Sequence, residues 1–357
     1  MLDIWPALPI VVNASTATTR PVWLGMPNII AALKRRDRVC KITIDDVPDS
    51  LLQSGAMKKR FPKLTHLVLR SSGRNGSGIP DLFLDGSAPL LRVLHFTGIA
   101  FSPPTLTKLL LSATNLVTFR LWDIPRLRGI LVSDPIITVL PSLTMLRHFS
   151  IGYRPLRCCV YRERQYPPLL ERLVLPSLTE LSFKGDHQCL DDIVRKIDTP
   201  SLESVSITFI DRLIFDTPLL RDFFNHTTVL QEPHQAEIFF FKGHIDLYLY
   251  QRERTAGRYI LKVSLLTPVP AWQLFSMAQF CSISLPPLTT LERLRIVADD
   301  PTAPNLPRGG ESNQWLELVR SFVTVKDLDL CIRVTEEVVT ALRELTGNTV
   351  TQEVSAL

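Results

Sequence analysis

The sequence lacks the cysteine spacing that a zinc site or a disulfide framework requires. Its 357 residues include six cysteines, and no two of them stand in a CxxC pair. Disulfide-rich chains belong to oxidising compartments. We therefore expect buried, reduced thiols in an intracellular protein, either cytoplasmic or nuclear. The six are Cys40, Cys158, Cys159, Cys189, Cys281 and Cys331.

Long apolar runs are also missing. A helix that crosses a bilayer needs about 20 consecutive apolar residues. The most apolar stretch, EIFFFKGHIDLYLY, is interrupted by Lys242, Gly243, His244 and Asp246. The N-terminal MLDIWPALPIVVNASTA has no basic leader and contains two prolines, which argues against a secretion signal. We expect no membrane partner.

No charge of one sign dominates the sequence. Forty basic residues stand against 35 acidic ones, and a nucleic-acid module usually has a denser basic face. We therefore expect no nucleic-acid partner. Two short basic runs, Lys34-Arg35-Arg36 and Lys58-Lys59-Arg60, invite a nucleic-acid or nuclear-localisation interpretation. The sequence favours solvated ends of helices, where cations are stabilised by the helix dipole.

Motifs of catalysis are absent as well. GRNGSG at 73–78 has the spacing GxxGxG and precedes a poor helix start, so a surface loop is expected instead of a phosphate cradle. Asp186-His187 with Asp191-Asp192 suggests a metal or acid–base cluster, but carboxylates are also favoured in the first turn of a helix. The seven histidines form no HExxH motif. We predict no catalytic, cofactor-binding or metal-binding residue and no enzyme.

What the sequence does contain is a repeated frame, Φ-x-x-Φ-x-Φ, where Φ is apolar. The first seven frames begin 24 to 32 residues apart, close to the 20 to 29 residues typical of leucine-rich repeats. One short strand cannot bury its apolar face alone, so neighbouring units must stack. The fold predicted is an irregular α/β leucine-rich-repeat solenoid, with a curved parallel sheet and return helices. The frames begin at Val39, Leu64, Leu91, Leu116, Leu146, Leu178, Leu202, Leu291 and Val325.

Helical segments and one insertion separate the frames. Residues 235–266 alternate apolar and polar side chains over three stretches, which predicts a β-meander inserted in the solenoid. We predict a single domain over 1–357, with N-terminal repeats at 28–222 and C-terminal repeats at 285–345. Asn28 is the predicted N-cap of the first helix. Further helices are predicted in LTKLLLSATN, CLDDIVRKI, LLRDFFNHT, WQLFSMAQF, WLELVRSF and TEEVVTALREL.

The wording of these segments resembles the leucine-rich-repeat region of F-box proteins in mushroom-forming fungi. The phrases that carry the resemblance are WPALPIVV, NIIAALKRRDRVCKI, LLRVLHFTGIAFSPP, DIVRKIDTPSLESVSITFI and WQLFSMAQFCSISLPP. It covers residues 4 to 345. The resemblance implies that an N-terminal F-box docks to the adaptor of a cullin-RING ubiquitin ligase and that the repeats select the substrate.

The F-box itself is not found before WPALPIVV, so docking to the ligase adaptor is assigned to no residue and depends on a restored F-box. Two explanations are open for the missing F-box. Either the sequence is a truncated gene model of a longer protein, or the protein is a paralogue that has lost the module. The function expected is substrate recognition for a ubiquitin ligase. The alternative is a structural or regulatory scaffold with no ligase link.

The variable positions of the frame are the candidate binding residues. Side chains alternate across a strand, so the third, fifth and seventh positions face away from the core. In a solenoid that face is concave and binds partners. The early units would place a basic, partly aromatic patch there, suited to an acidic segment of a protein partner or to an anionic ligand. Its residues are His66, Arg70, His95, Arg120, Trp122 and His148.

Overall fold

The chain has a mixed α/β structure in which most strand pairs are parallel. The computed structural model describes residues 8–14, 25–72, 77–124, 133–154, 172–210, 217–230, 232–252, 258–267, 270–298 and 312–331. Eight α-helices lie in these ranges. The chain divides into two compact units, Met1–Phe183 with Lys196–Leu202, and Lys184–Arg195 with Glu203–Leu357. Each is described by itself.

The first unit is built on parallel strands that follow one another in chain order. Its main sheet has the order β1-β2-β3-β5-β7-β8-β10, and every pair from β1 to β8 is parallel. Two short parallel pairs, β4 with β6 and β9 with β11, lie outside that sheet. The strands are β1 (Ile10–Ala14), β2 (Val39–Ile44), β3 (His66–Arg70), β4 (Ser77–Gly78), β5 (Val93–Thr97), β6 (Ile99–Ala100), β7 (Thr118–Ile124), β8 (His148–Tyr153), β9 (Leu173–Val174), β10 (Glu180–Gly185, up to Phe183 in this unit) and β11 (Ile197–Asp198).

The apolar positions of the repeated frame form the core of this unit. The fourth position of each frame pairs with the fourth position of the next, and the sixth with the sixth. Each fully buried side chain of this size contributes about 1.5–3 kcal/mol to stability. Phe119 and Phe149 also stack, with ring centroids 5.7 Å apart. The two rows are Ile42-Leu67-Leu94-Phe119-Phe149 and Ile44-Leu69-Phe96-Leu121-Ile151, all at most 1% exposed.

Prolines begin two of the helices of this unit. Pro27 stands in the first turn of α1, so this helix begins at Met26 with Gly25 as its N-cap, and the prediction of Asn28 as N-cap is wrong. Proline lacks the N–H that would be unpaired in the first turn anyway. Pro103 begins α3 for the same reason. The helices are α1 (Met26–Lys34), α2 (Asp49–Leu52), α3 (Pro103–Ser112) and α4 (Ser133–Val139).

In the second unit the strand order departs from chain order. The order is β12-β15-β14-β13-β16-β17, so the last strand of the 235–266 segment lies beside β12 and the first beside β16. β13, β14 and β15 pair antiparallel, while their outer neighbours pair parallel. The strands are β12 (Ser204–Ile210), β13 (Gln235–Phe241), β14 (His244–Tyr250), β15 (Leu261–Leu266), β16 (Arg293–Ala298) and β17 (Asp327–Cys331).

The core of this unit also has one row of apolar residues along the sheet. Ile207, Val263, Leu247, Ile238 and Ile296 are paired in that order and are at most 1% exposed. On the edge strand β17 the apolar side chain of Leu328 is 36% exposed, so the last frame buries less than the others. The helices are α5 (His187–Val194), α6 (Pro218–His226), α7 (Pro270–Ile283) and α8 (Ser312–Arg320).

Two expectations about polar side chains are wrong. Asp191 and Asp192 were expected in the first turn of a helix, but Asp186 caps α5, and both carboxylates lie beyond that turn and are buried. Of the cysteines in the described ranges, Cys331 is exposed because it ends the edge strand β17. The predicted helix at 335–345 lies outside the described residues. The predicted domain and repeat boundaries stay predictions.

Candidate functional site

Four of the six predicted patch residues lie together on three consecutive strands of the first unit. His95 on β5 is paired directly with Arg120 on β7. Two residues further along β5, Thr97 is paired with Arg70 on β3 at one side and with Trp122 on β7 at the other. Because neighbouring strands are about 4.8 Å apart, these four side chains share one small area. They lie on the face opposite the buried frame residues.

His66 and His148 lie at the margins of this group. His66 is paired with Lys41 on β2 and with Val93 on β5. His148 is three strands away from His66, and its Nδ1 lies 2.9 Å from an Oε2 of Glu180. The imidazole of His148 therefore already has an acidic neighbour within its own unit.

The two arginines of the patch differ in their partners. Arg70 donates from Nη1 to Oδ1 of Asp45 over 2.6 Å, so its charge is compensated inside the unit. Arg120 is exposed, and among the described residues no carboxylate forms an ion pair with it. A guanidinium with free donors can bind a carboxylate through two parallel hydrogen bonds. Of the two arginines of the patch, Arg120 is thus the one that remains available to a partner.

The histidines contribute less positive charge than the sequence suggested. Burial, together with the charges of Arg120 and Arg70, lowers the pKa of His95 from 6.5 to about 4, against an opposing effect of Asp45. Burial, followed by Lys41 and Arg92, also lowers the pKa of His66. His95 is therefore neutral near pH 7, and its Nε2 lies 3.0 Å from the hydroxyl of Thr97. It is a hydrogen-bonding group of this face and no cation.

Trp122 is held by an irregularity of β7. The register between β7 and β8 shifts after Leu121, and Asp123 has a φ of 51°, which is unusual for any residue other than glycine. The six-membered ring of Trp122 lies where a Cβ on Gly152 of β8 would be. The half-buried indole thus packs on the neighbouring strand while part of it stays exposed.

A second group of side chains, which the sequence analysis missed as a site, lies on the meander of the second unit. Asp246 on β14 is only 3% exposed. Its Oδ2 accepts a hydrogen bond from the hydroxyl of Tyr248 over 2.9 Å and lies 3.0 Å from Nζ of Lys262. Lys262 also lies over the ring of Tyr248, 4.9 Å from its centroid. The three side chains form one connected polar cluster.

Aromatic rings surround that polar cluster. The ring of Phe239 meets that of Tyr248 edge to face at 5.7 Å, and Phe241 stacks on His244 at 4.4 Å. Tyr250 donates to Oε2 of Glu237 over 3.0 Å, and burial followed by the Glu237 charge raises the pKa of Tyr250. The alternation of aromatic and acidic residues in EIFFFKGHIDLYLY was the signal that could have indicated this surface.

No family model matches the chain. A search of curated proteins also finds no significant match. The assignment of function therefore rests on the residues themselves.

The remaining candidates from the sequence give no further site. In the described ranges, no group of three or more histidine, cysteine, aspartate or glutamate side chains could hold a metal ion. That statement includes Asp186, His187, Asp191 and Asp192. Most of GRNGSG lies outside the described residues, and its last two positions form β4. No helix in the described part of the chain is long and apolar enough to cross a bilayer.

Proposed function

We propose that the chain is a non-catalytic recognition module that binds an acidic segment of a partner protein on the open face of the first unit. The fold proposed is an irregular leucine-rich-repeat solenoid, which would make that face concave. The role proposed is substrate selection for a ubiquitin ligase of the F-box type. The resemblance of the repeat phrases to F-box proteins supports this role.

The observation that carries the proposal is the setting of Arg120. Its guanidinium is exposed and forms no ion pair within the described residues, and it stands between neutral His95 and half-buried Trp122. Arginine and tryptophan are the residues most enriched at the centres of interfaces. A partner carboxylate would meet the guanidinium, and an adjacent apolar side chain would cover the indole.

The acidic side chains of this face limit where such a partner can lie. Asp45 compensates Arg70 at one side, and Glu180 lies beside His148 at the other. The acidic and basic side chains at both margins are already paired, so a negatively charged segment is attracted mainly to the middle strands, β5 and β7. An extended segment that runs along these strands would fit this arrangement, because it would place alternate side chains towards the sheet.

The test is a selection of peptides on the purified chain, followed by measurement of single variants. Random extended peptides selected on the wild type should be enriched in Asp and Glu. Arg120→Ala should weaken their binding by about tenfold or more, since a hydrogen-bonded charged group is lost. Trp122→Ala should weaken binding through lost apolar contact. Arg221→Ala removes an exposed arginine on α6 and should leave binding unchanged.

A selection without acidic enrichment, or binding that is insensitive to Arg120→Ala while the fold is retained, would refute the partner proposal. The ligase role has a separate test, which is to sequence the transcript upstream of the first codon. An in-frame F-box there, and co-purification of the ligase adaptor with the longer protein, would support it. Without either, the scaffold alternative is favoured.

A further inference from the structure

A cleft in the first unit joins the two basic runs of the sequence. It lies between the C-terminal half of α1 and the turn that follows α2, and its volume is about 320 Å³. This is the lower end of the range for small-ligand sites, about 300–1,000 Å³. It is lined by Ile30, Leu33, Lys34, Arg36, Ser54, Gly55, Ala56 and Lys59.

Three cations surround this cleft, and the residues that line it include no acid. Lys34 and Arg36 come from the first basic run and Lys59 from the second. Within the described ranges none of the three forms an ion pair, whereas nearby Arg60 is paired with Asp85 at 2.8 Å. The sequence favoured two separate solvated helix ends. The fold instead brings the two runs to one concavity, where a bound anion would attract all three like charges.

One of the residues that line the cleft has a polar atom that lacks a partner. The hydroxyl oxygen of Ser54 is buried and has no hydrogen bond. A buried hydroxyl without a partner is unfavourable, and such groups are uncommon in folded proteins. Next to it, the space above Gly55 is empty for 4 Å around the position of a Cβ. Because the hydroxyl is inaccessible to water in the free protein, contact with an anion requires the Ser54 side chain to turn into that space.

We propose that this cleft binds a phosphate monoester. A monoester carries close to two negative charges at pH 7 and three acceptor oxygens, which matches three cations and a hydroxyl donor. The apolar side chains of Ile30 and Leu33 would contact the carbon atoms next to the ester. A nucleic-acid backbone fits less well, since it needs a basic surface that extends along many phosphates. The site does not depend on the patch around Arg120.

The test uses the full chain and four probes. These are N-acetyl-O-phosphoserine amide, N-acetylserine amide, inorganic phosphate and a 12-base-pair DNA duplex, with binding followed by calorimetry and by the amide resonances of Gly55 and Ala56. We expect the phosphoserine probe to bind and the serine probe not to bind. Inorganic phosphate that competes at the same resonances but more weakly indicates that the ester carbons contribute. Equal affinity for free phosphate indicates a site for the ion alone and overturns the monoester assignment.

Variants separate a built site from a general effect of charge. The double substitution Lys34→Ala/Lys59→Ala should weaken the phosphoserine probe at least about tenfold, because two charge-assisted contacts are lost. The matched pair Lys63→Ala/Lys108→Ala removes two exposed lysines that do not line the cleft and should leave affinity unchanged. The proposal would be overturned if both double variants lost the same amount of affinity for the phosphoserine probe. It would also be overturned if no anion bound, or if the DNA duplex bound more tightly than the phosphoserine probe.

Ser54→Ala provides a second, independent variant. It removes a buried oxygen that has no partner in the free protein, so the free variant should unfold at the same temperature as the wild type or higher. Affinity for the phosphoserine probe should nevertheless fall by about threefold to tenfold, as for one lost hydrogen bond. A lower unfolding temperature with unchanged affinity would show a structural hydroxyl and refute its role in binding. Arg120→Ala should leave this affinity unchanged, which separates the site from the proposed partner face.

Discussion

The ring of Trp122 occupies the space in which a Cβ on Gly152 would stand. The two residues lie on neighbouring parallel strands, β7 and β8, and the register shift after Leu121 precedes this contact. Glycine is thus required at 152 because of a close side-chain approach, and the orientation of the indole depends on it. The exposed part of the proposed partner face is coupled in this way to the packing of the sheet.

Gly152→Ala should therefore destabilise the protein and displace the indole. An added Cβ meets the ring of Trp122 well inside van der Waals contact, and overpacking of this kind costs about 1–3 kcal/mol. The free energy of unfolding in urea and the tryptophan fluorescence measure the two effects. We expect a lower unfolding midpoint and an altered fluorescence spectrum in the native state.

The control for this prediction is a double-mutant cycle. In a Trp122→Ala background the space beside Gly152 is open, so Gly152→Ala should cost at most a few tenths of a kcal/mol, and the two substitutions should be strongly non-additive. Equal costs of Gly152→Ala in both backgrounds would show that the backbone at 152, and not the indole, demands glycine.

Lys262 should be more important for stability than an ordinary surface lysine. Its ammonium group lies 3.0 Å from the buried Asp246, whose side chain is 4% exposed, and the imidazole of His244 lies 4.0 Å from the same carboxylate. Lys262→Met leaves that carboxylate without its ammonium partner, and breaking a buried pair costs about 3 kcal/mol or more. Chemical denaturation measures the loss.

Arg258→Met is the matched control for Lys262→Met. Arg258 lies 3.3 Å from Glu203, and both side chains are nearly half exposed. An exposed pair contributes about 0–1 kcal/mol, so this substitution should have a small effect. Similar losses from the two substitutions would mean that the buried position of Asp246 has no energetic consequence.

Asp186 should stabilise α5 as its N-cap. Its Oδ1 accepts a hydrogen bond from the backbone N–H of Cys189 over 2.9 Å. Asp186→Ala should lower the free energy of unfolding by about 1 kcal/mol, and Asp186→Ser should restore most of it, because serine is also a good N-cap. Thermal unfolding measures both variants. A larger loss that serine does not rescue would indicate a role for the carboxylate other than capping.

The periodicity of the sequence predicted the strands better than the surfaces. The apolar positions of the frame are recognisable because each must be buried, and their spacing alone predicts rows such as Leu67-Leu94-Phe119. The strand order of the second unit was not predictable, since pairing of β15 with β12 and of β13 with β16 depends on where the chain crosses the sheet. The alternation of apolar and polar residues predicts the three strands β13, β14 and β15. It does not predict which other strands pair with them.

The same limit applies to the candidate sites. The sequence placed His95 beside Arg120 correctly, because both positions follow from the frame. It counted His95 as basic, and that was wrong, since the charge of an imidazole depends on burial and on neighbours that a single strand does not reveal. The phosphate cleft was missed for a related reason, because its two basic runs meet only after α1 and the turn following α2 have packed.

The depressed pKa of His95 predicts a specific loss of stability in mild acid. Its pKa is about 4 in the folded chain, against 6.5 for the ordinary group. Between these values the unfolded state binds more protons than the folded state, so stability is complete above pH 6.5 and falls as the pH decreases towards 4. The full shift corresponds to about 3 kcal/mol, which solvent screening at a half-buried site reduces to about 1 kcal/mol.

His95→Gln should therefore flatten the dependence of stability on pH between 6.5 and 4, because glutamine keeps a hydrogen-bonding group beside Thr97 but does not titrate. Urea unfolding at half-unit pH steps measures the slope. Arg120→Ala in the otherwise unchanged chain should reduce the slope in part, since the charge of Arg120 contributes to the depression after burial. A slope that His95→Gln leaves unchanged would show that the acid sensitivity does not arise from the pairing of His95 with Arg120, and that the neutral state assigned to His95 is wrong.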